Sequence, residues 1–124
     1  MERDVYKARL LAVLSQHIGR ERAIGMGELY EEVFGEPWRH RINDTRELRR
    51  LITELRKEGV PICSSSEVQG GGYYLAAAGS ELEDYCRRLR RRALQALEQE
   101  ARLRRISLPE LLGQLELSFR QMRA

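Results

Sequence analysis

Residues 45–76 read TRELRRLITELRKEGVPICSSSEVQGGGYYLA, and the change of periodicity within this stretch decides the fold. Leu48, Leu51, Ile52 and Leu55 fall at i, i+3, i+4 and i+7, the spacing of a helix that buries one face. Arg46, Arg49, Arg50, Thr53, Arg56 and Lys57 occupy its other faces. Gly59 stands where such a helix ends, with Pro61 just beyond it. The pattern then turns from helical to extended. Val60, Ile62 and Cys63 predict one short strand, and Tyr73, Tyr74, Leu75 and Ala76 its partner, with one tyrosine inward and one outward. Between them SSSEVQGGG is too polar and too rich in glycine for a core, and predicts a hairpin tip.

Working upstream, Val5, Tyr6, Leu10, Val13, Leu14, His17 and Ile18 recur at helical spacing and predict a first helix over about residues 3–18, closed by Gly19. Ile24 is the buried, strand-like residue of the connector that follows. Met26, Leu29, Tyr30, Val33 and Phe34 make a second, short amphipathic helix ending at Gly35. The joint GEPWRHRIN cannot be helical throughout because Pro37 lacks the donor and crowds the preceding turn. Asn43 or Asp44 can cap the third helix.

Downstream, Ser80-Glu-Leu-Glu83 has the form of a capping box and opens a long helix of about 25 residues. Its apolar side carries Leu82, Cys86, Leu89, Ala93, Ala96, Leu97 and Leu103. A second box, Ser107-Leu-Pro-Glu110, predicts a break near Ile106 and a shorter final helix with Leu111, Leu112, Leu115, Phe119 and Met122 as its stripe. The fold class expected is therefore mainly α with a small β-hairpin (α+β), divided into a domain over 1–78 and a helical region over 79–124. An apolar seam on so long a helix needs a covering surface. A second copy is the simplest one, meeting the first through Leu82, Leu89, Leu111, Leu115 and Phe119.

Charge bounds the function. The 124 residues have a net charge of +3, but residues 39–57 carry seven basic side chains against three acidic, and residues 87–105 carry eight arginines against Glu98 and Glu100. Localised basic segments in a neutral-to-acidic chain are the footprint of a polyanion contact. The run Arg87-Arg88-x-Arg90-Arg91-Arg92 wraps its helix, and reads either as a solvated outer face or as a contact to nucleic acid or an acidic surface. No signal peptide and no apolar run of about 18 residues is present, which predicts a cytoplasmic protein with no membrane partner.

The residues of catalysis are sparse. His17 sits on an apolar helix side and His40 in the basic joint, and no Cys/His spacing suits zinc. Gly70-Gly-Gly72 lacks the Lys-Ser/Thr of a phosphate loop, and Gly25-Met-Gly27 lacks the third glycine of a dinucleotide fingerprint. Cys63 and Cys86 read as reduced packing residues. The expectation is no enzyme, no catalytic residue, no metal and no cofactor.

Three helices, then a hairpin, with RELRRLITELRKEGVPICSS and GGGYYLA in these positions, resemble the winged helix-turn-helix class, and within it the biotin-repressor-type DNA-binding module of small bacterial and phage regulators. The resemblance covers about residues 5–78 and carries no biotin chemistry with it. It implies sequence-specific binding of double-stranded DNA by a small bacterial or (pro)phage transcription regulator, dimeric through its C-terminal helices. A helix about 10–12 Å across enters a major groove about 12 Å wide, and residues near its N-terminus reach base edges. Thr45, Arg46, Arg49 and Arg50 are then the readers. Thr53, Arg56 and Lys57 meet phosphate, as do Arg39 and Arg41 if Trp38-Arg-His-Arg41 is a backbone clamp rather than a ring packed at the core edge. The tip has Glu67 and no basic residue, so its contacts would come from Ser64, Ser65, Gln69 and the amides of 70–72. The alternative is a winged-helix adaptor in a replication or packaging assembly, meeting an acidic protein or nucleic acid without sequence choice.

Overall fold

A computed structural model describes residues 2–39, 43–67 and 71–123, without the side chains of Asn43 and Asp44. In chain order it contains α1 (Glu2–Leu14), a 3-10 turn (Arg20–Arg22), α2 (Met26–Phe34), α3 (Asn43–Lys57), β1 (Ile62–Ser65), β2 (Gly72–Leu75), α4 (Ser80–Arg104) and α5 (Leu108–Arg123). This is a mainly α chain with one small antiparallel hairpin. It divides into two compact units, Met1–Tyr85 and Cys86–Ala124, with the first turns of α4 belonging to the former.

The core of the first unit follows from the stripes. Leu10 and Leu14 of α1, Leu29 and Val33 of α2, and Leu48, Leu51, Ile52 and Leu55 of α3 converge on Ile24 and Ile62. Each fully buried Leu or Ile contributes about 1.5–3 kcal/mol relative to exposure. Gly59 closes α3 in a Schellman turn: Val60 N–H donates to Leu55 C=O and Gly59 N–H to Arg56 C=O, both at 3.0 Å.

The hairpin pairs Ile62 with Leu75, Cys63 with Tyr74, Ser64 with Tyr73 and Ser65 with Gly72. Ile62 faces the main core, while Cys63, Tyr74 and Ala76 form a second cluster under Ala23 and Tyr85. Both tyrosines are thus partly or fully covered, Tyr73 against the main core and Tyr74 in the second cluster. The pair of strands is extended by single residues on its outer side: Ile24 bridges Tyr73, and Ile18 bridges Leu75. This corrects the expected first helix. α1 stops at Leu14 because His17 C=O and Gly19 N–H are taken by the N–H and C=O of Leu75, at 2.9 and 2.8 Å. His17 accordingly leaves the helix, and its Nδ1 lies 2.8 Å from Arg22 C=O.

Two ion pairs one turn apart, Arg3–Glu54 and Lys7–Glu58, lace α1 to α3. The hydrogen bond to Glu58 holds the Lys7 ammonium above its ordinary pKa of 10.5. A raised lysine pKa contributes stability below the ordinary value and loses it as pH rises through the raised one, so this tie weakens only in strongly alkaline solution.

At the start of α4, Glu81 rather than Ser80 fastens the chain. Its carboxylate accepts from Ala77 N–H at 2.9 Å and from Arg20 N–H at 3.3 Å. In the second box Ser107 caps the helix as expected, its Oγ accepting from Glu110 N–H at 3.2 Å. Between them Arg105 takes a left-handed φ of 58°, and Ile106 N–H reaches back to Ala101 C=O.

In the second unit Leu97 of α4 and Leu112, Leu115 and Phe119 of α5 line one open groove. Ala101 and Leu111 are its buried residues among those described. Cys86, expected to pack, is exposed, while Cys63 is buried; neither forms a disulfide.

Candidate nucleic-acid interface

α3 is built with two opposed arcs. At 100° per residue, Leu48, Leu51, Ile52 and Leu55 share one side, and Arg46, Arg49, Arg50, Thr53 and Lys57 share the opposite one. Those five exposed residues, joined by Arg3 and Glu54, line a shallow groove of about 450 Å³. Five cations therefore face one carboxylate, and that carboxylate is held by Arg3. Glu47 leans toward Arg50 at 3.7 Å, a loose pair between exposed groups. Such a pair in water is worth about 0–1 kcal/mol and yields readily to a phosphate.

Among the described residues, three of the expected site residues, Thr45, Arg56 and Arg39, do not line this groove. Thr45 is 0 % exposed, so its side chain cannot touch a partner. The reason is legible in the spacing: Thr45 lies three residues before Leu48 and seven before Ile52, at the edge of the buried arc. Arg56 turns its Nε to Ile62 C=O at 2.9 Å and braces the start of β1 instead of the groove. Arg41 lies outside the described residues, as do His40, Gln69 and Gly70. Arg39 is exposed, within the joint that follows α2. Thr53 stays in the groove, its hydroxyl donating to Arg49 C=O at 2.9 Å.

Two residues join that no spacing pointed to. Arg3 comes from α1 and reaches the α3 groove across the Glu54 pair. Arg20 reaches the hairpin, where its guanidinium pairs with Glu67 at 2.9 Å and neutralises that carboxylate. Both contacts join distant parts of the chain, Arg20 and Glu67 being 47 residues apart.

Arg49 stands on a ridge. On its other side lies a second groove of about 620 Å³, with Glu28 and Glu31 of α2, Trp38, Ser64 and Tyr73 among its walls. The Trp38 ring lies flat on Gly27, where an added Cβ would meet Cζ3 at 2.8 Å. This settles the joint's tryptophan as a packed, 39 % exposed ring. Gly27→Val is expected to push the ring into solvent, costing about 1 kcal/mol because a surface side chain can give way. Trp38 is the sole tryptophan, so a red-shifted emission reads the displacement, and an unchanged spectrum would refute the stacking.

Among the described residues no group of His, Cys, Asp and Glu is placed to hold a metal ion, and no helix is long and apolar enough to cross a membrane. Compared with protein families, with curated proteins and with solved structures, the chain gives no match.

Proposed function

We propose that the chain is a cytoplasmic, winged-helix-type DNA-binding regulator of bacterial or phage kind, which lays the exposed arc of α3 in the major groove of duplex DNA. The observation that carries this reading is the convergence of Arg3, Arg46, Arg49, Arg50 and Lys57 on one groove whose single carboxylate is already paired. Arginine forks match guanine O6/N7 and phosphate oxygens, and nothing else on this surface offers comparable chemistry. Arg46, Arg49 and Arg50, on the first half of α3, are the base readers; Arg3, Thr53, Lys57 and Arg39 hold the backbone. No catalytic step is assigned to the chain. Two copies meet through Leu89, Leu115 and Phe119, which remain accessible, and without Leu111, which is 2 % exposed within one chain.

The second reading, an adaptor without sequence choice, draws support from the hairpin, where Arg20 is spent on Glu67. Duplex binding measured against salt, followed by selection from a random pool, separates the two. The regulator predicts a steep salt slope and an enriched site. A steep slope with no enriched site supports the adaptor, and absence of binding at low salt removes the DNA reading.

A further inference from the structure

Charge is divided unequally between the two units. Residues 1–85 carry 12 basic and 15 acidic side chains, whereas residues 86–124 carry 10 and four. The unit with the α3 groove is therefore net acidic, and beyond its local patch it is repelled by a polyanion. The positive excess of the whole chain resides in the C-terminal helices.

Within them it is concentrated on α4. Every residue from 86 to 96 is exposed. Arg104 and Arg120 are held by Glu100 and Glu116 at 2.7 and 2.8 Å, but Arg88, Arg90, Arg91 and Arg92 have no ion pair among the described residues. For Arg90, Arg91 and Arg92 none is possible along the helix, since no acidic residue stands three or four positions away on either side. Instead Arg88 stands against Arg91 and Arg92 at i+3 and i+4, spacings at which like charges destabilise a helix. A face that needed only to be soluble would intersperse the two signs.

We infer that Arg88, Arg90, Arg91 and Arg92 form a second, sequence-independent contact to the phosphate backbone of nucleic acid. The inference rests on the DNA reading above and adds the source of affinity that the acidic first unit lacks. From Arg88 to Arg92 the helix rises about 6 Å. Duplex DNA presents one phosphate charge about every 1.7 Å of its axis. The duplex is thus densely charged on the length scale of these four arginines. The four spread over about 200° of the helix circumference, which suits the two phosphate backbones that flank a groove better than one flat acidic protein face.

The test is polarisation titration of a random-sequence duplex with the full-length chain, over about 50–300 mM salt. The variants are Arg88→Gln, Arg90→Gln, Arg91→Gln and Arg92→Gln combined, and the same four positions changed to Lys. Each phosphate contact contributes about −0.9 to the log–log salt slope, so the Gln variant is expected to flatten it by about 3 and to weaken binding at least tenfold at low salt. The Lys variant keeps the slope, and the site preference is the same in all three. Helix content by circular dichroism is expected to be unchanged, because Gln is a good helix former. A Gln variant that binds with the wild-type slope overturns this inference alone and returns the band to solvent or to an acidic protein. A Lys variant as weak as the Gln variant overturns it too, since the role would not be one of charge. A wild type that fails to bind at low salt overturns the α3 reading, and this inference with it.

Discussion

Combined replacement of Arg46, Arg49 and Arg50 by alanine is expected to lower affinity for a selected duplex site about 100- to 1,000-fold, and to erase its advantage over random DNA. The magnitude follows from the chemistry. A bidentate arginine–guanine contact discriminates by about 1–3 kcal/mol, and tenfold in affinity corresponds to about 1.4 kcal/mol. Three exposed arginines on one arc give a few such contacts at most, some of them to phosphate. The substitutions leave the buried arc of Leu48, Leu51, Ile52 and Leu55 untouched, and alanine favours the helix, so folding is preserved. Two neighbours serve as controls of opposite kind. Thr45→Ala alters a buried side chain, and Arg56→Ala removes a hydrogen bond to Ile62 C=O. Each is expected to lower stability by about 1 kcal/mol and to leave site preference intact. Should the triple variant retain its preference while either control loses it, α3 would not be the reading helix.

The contrast between these residues shows what a linear pattern carries. Helical spacing placed the four aliphatic residues of α3 correctly, because a buried stripe leaves a 3.6-residue period in the chain. By the same rule Thr45 belonged to the buried arc, yet its polarity drew it to the surface in the sequence reading. Arg56 was indistinguishable from Arg49 in sequence. What separates them is the carbonyl of Ile62, which the chain reversal at Gly59 delivers to one and not the other. The contribution of Arg3 needed the packing of α1 on α3, and that of Arg20 needed the hairpin to fold back beside the 3-10 turn. Pairings of this kind leave no periodic trace. The end of α1 was missed for a related reason: the apolar period runs on to Ile18, but hydrogen bonds to Leu75 outcompete the last helical turn.

The glycines of the hairpin carry the other large effect. In sequence, 70–72 looked like a turn that needs freedom at its tip. Gly72 is instead a packing glycine. It has φ 143°, and an added Cβ would fall on the carbonyl of Ile24, with Gly25 N only 2.8 Å away. Every one of these is a backbone atom, so no side-chain rotation relieves the clash. The backbones can separate only by breaking the reciprocal hydrogen bonds between Ile24 and Tyr73, both 2.8 Å. Gly72→Val is expected to destabilise the first unit by about 3–5 kcal/mol. Two lost hydrogen bonds account for about 1–3 of this and the unfavourable φ for about 1–3 more. Partial exposure of Ile24, which is 2 % exposed, adds to both. Against a total stability of about 5–15 kcal/mol, the loss is large enough to lower the urea midpoint steeply. Gly25→Ala is the matched control, one residue from the same contact but with open space around its Cβ, and it is expected to cost only about 1 kcal/mol, through its place at the N-cap of α2. Equal midpoints for the two variants would mean that the strand does not lie against Ile24. Because Gly72, Tyr73, Ser64 and Arg49 border one groove, the same substitution also frees the hairpin wall beside Arg49. A variant held folded at low temperature is therefore expected to bind duplex DNA with its α3 cations intact but with weaker discrimination between sites.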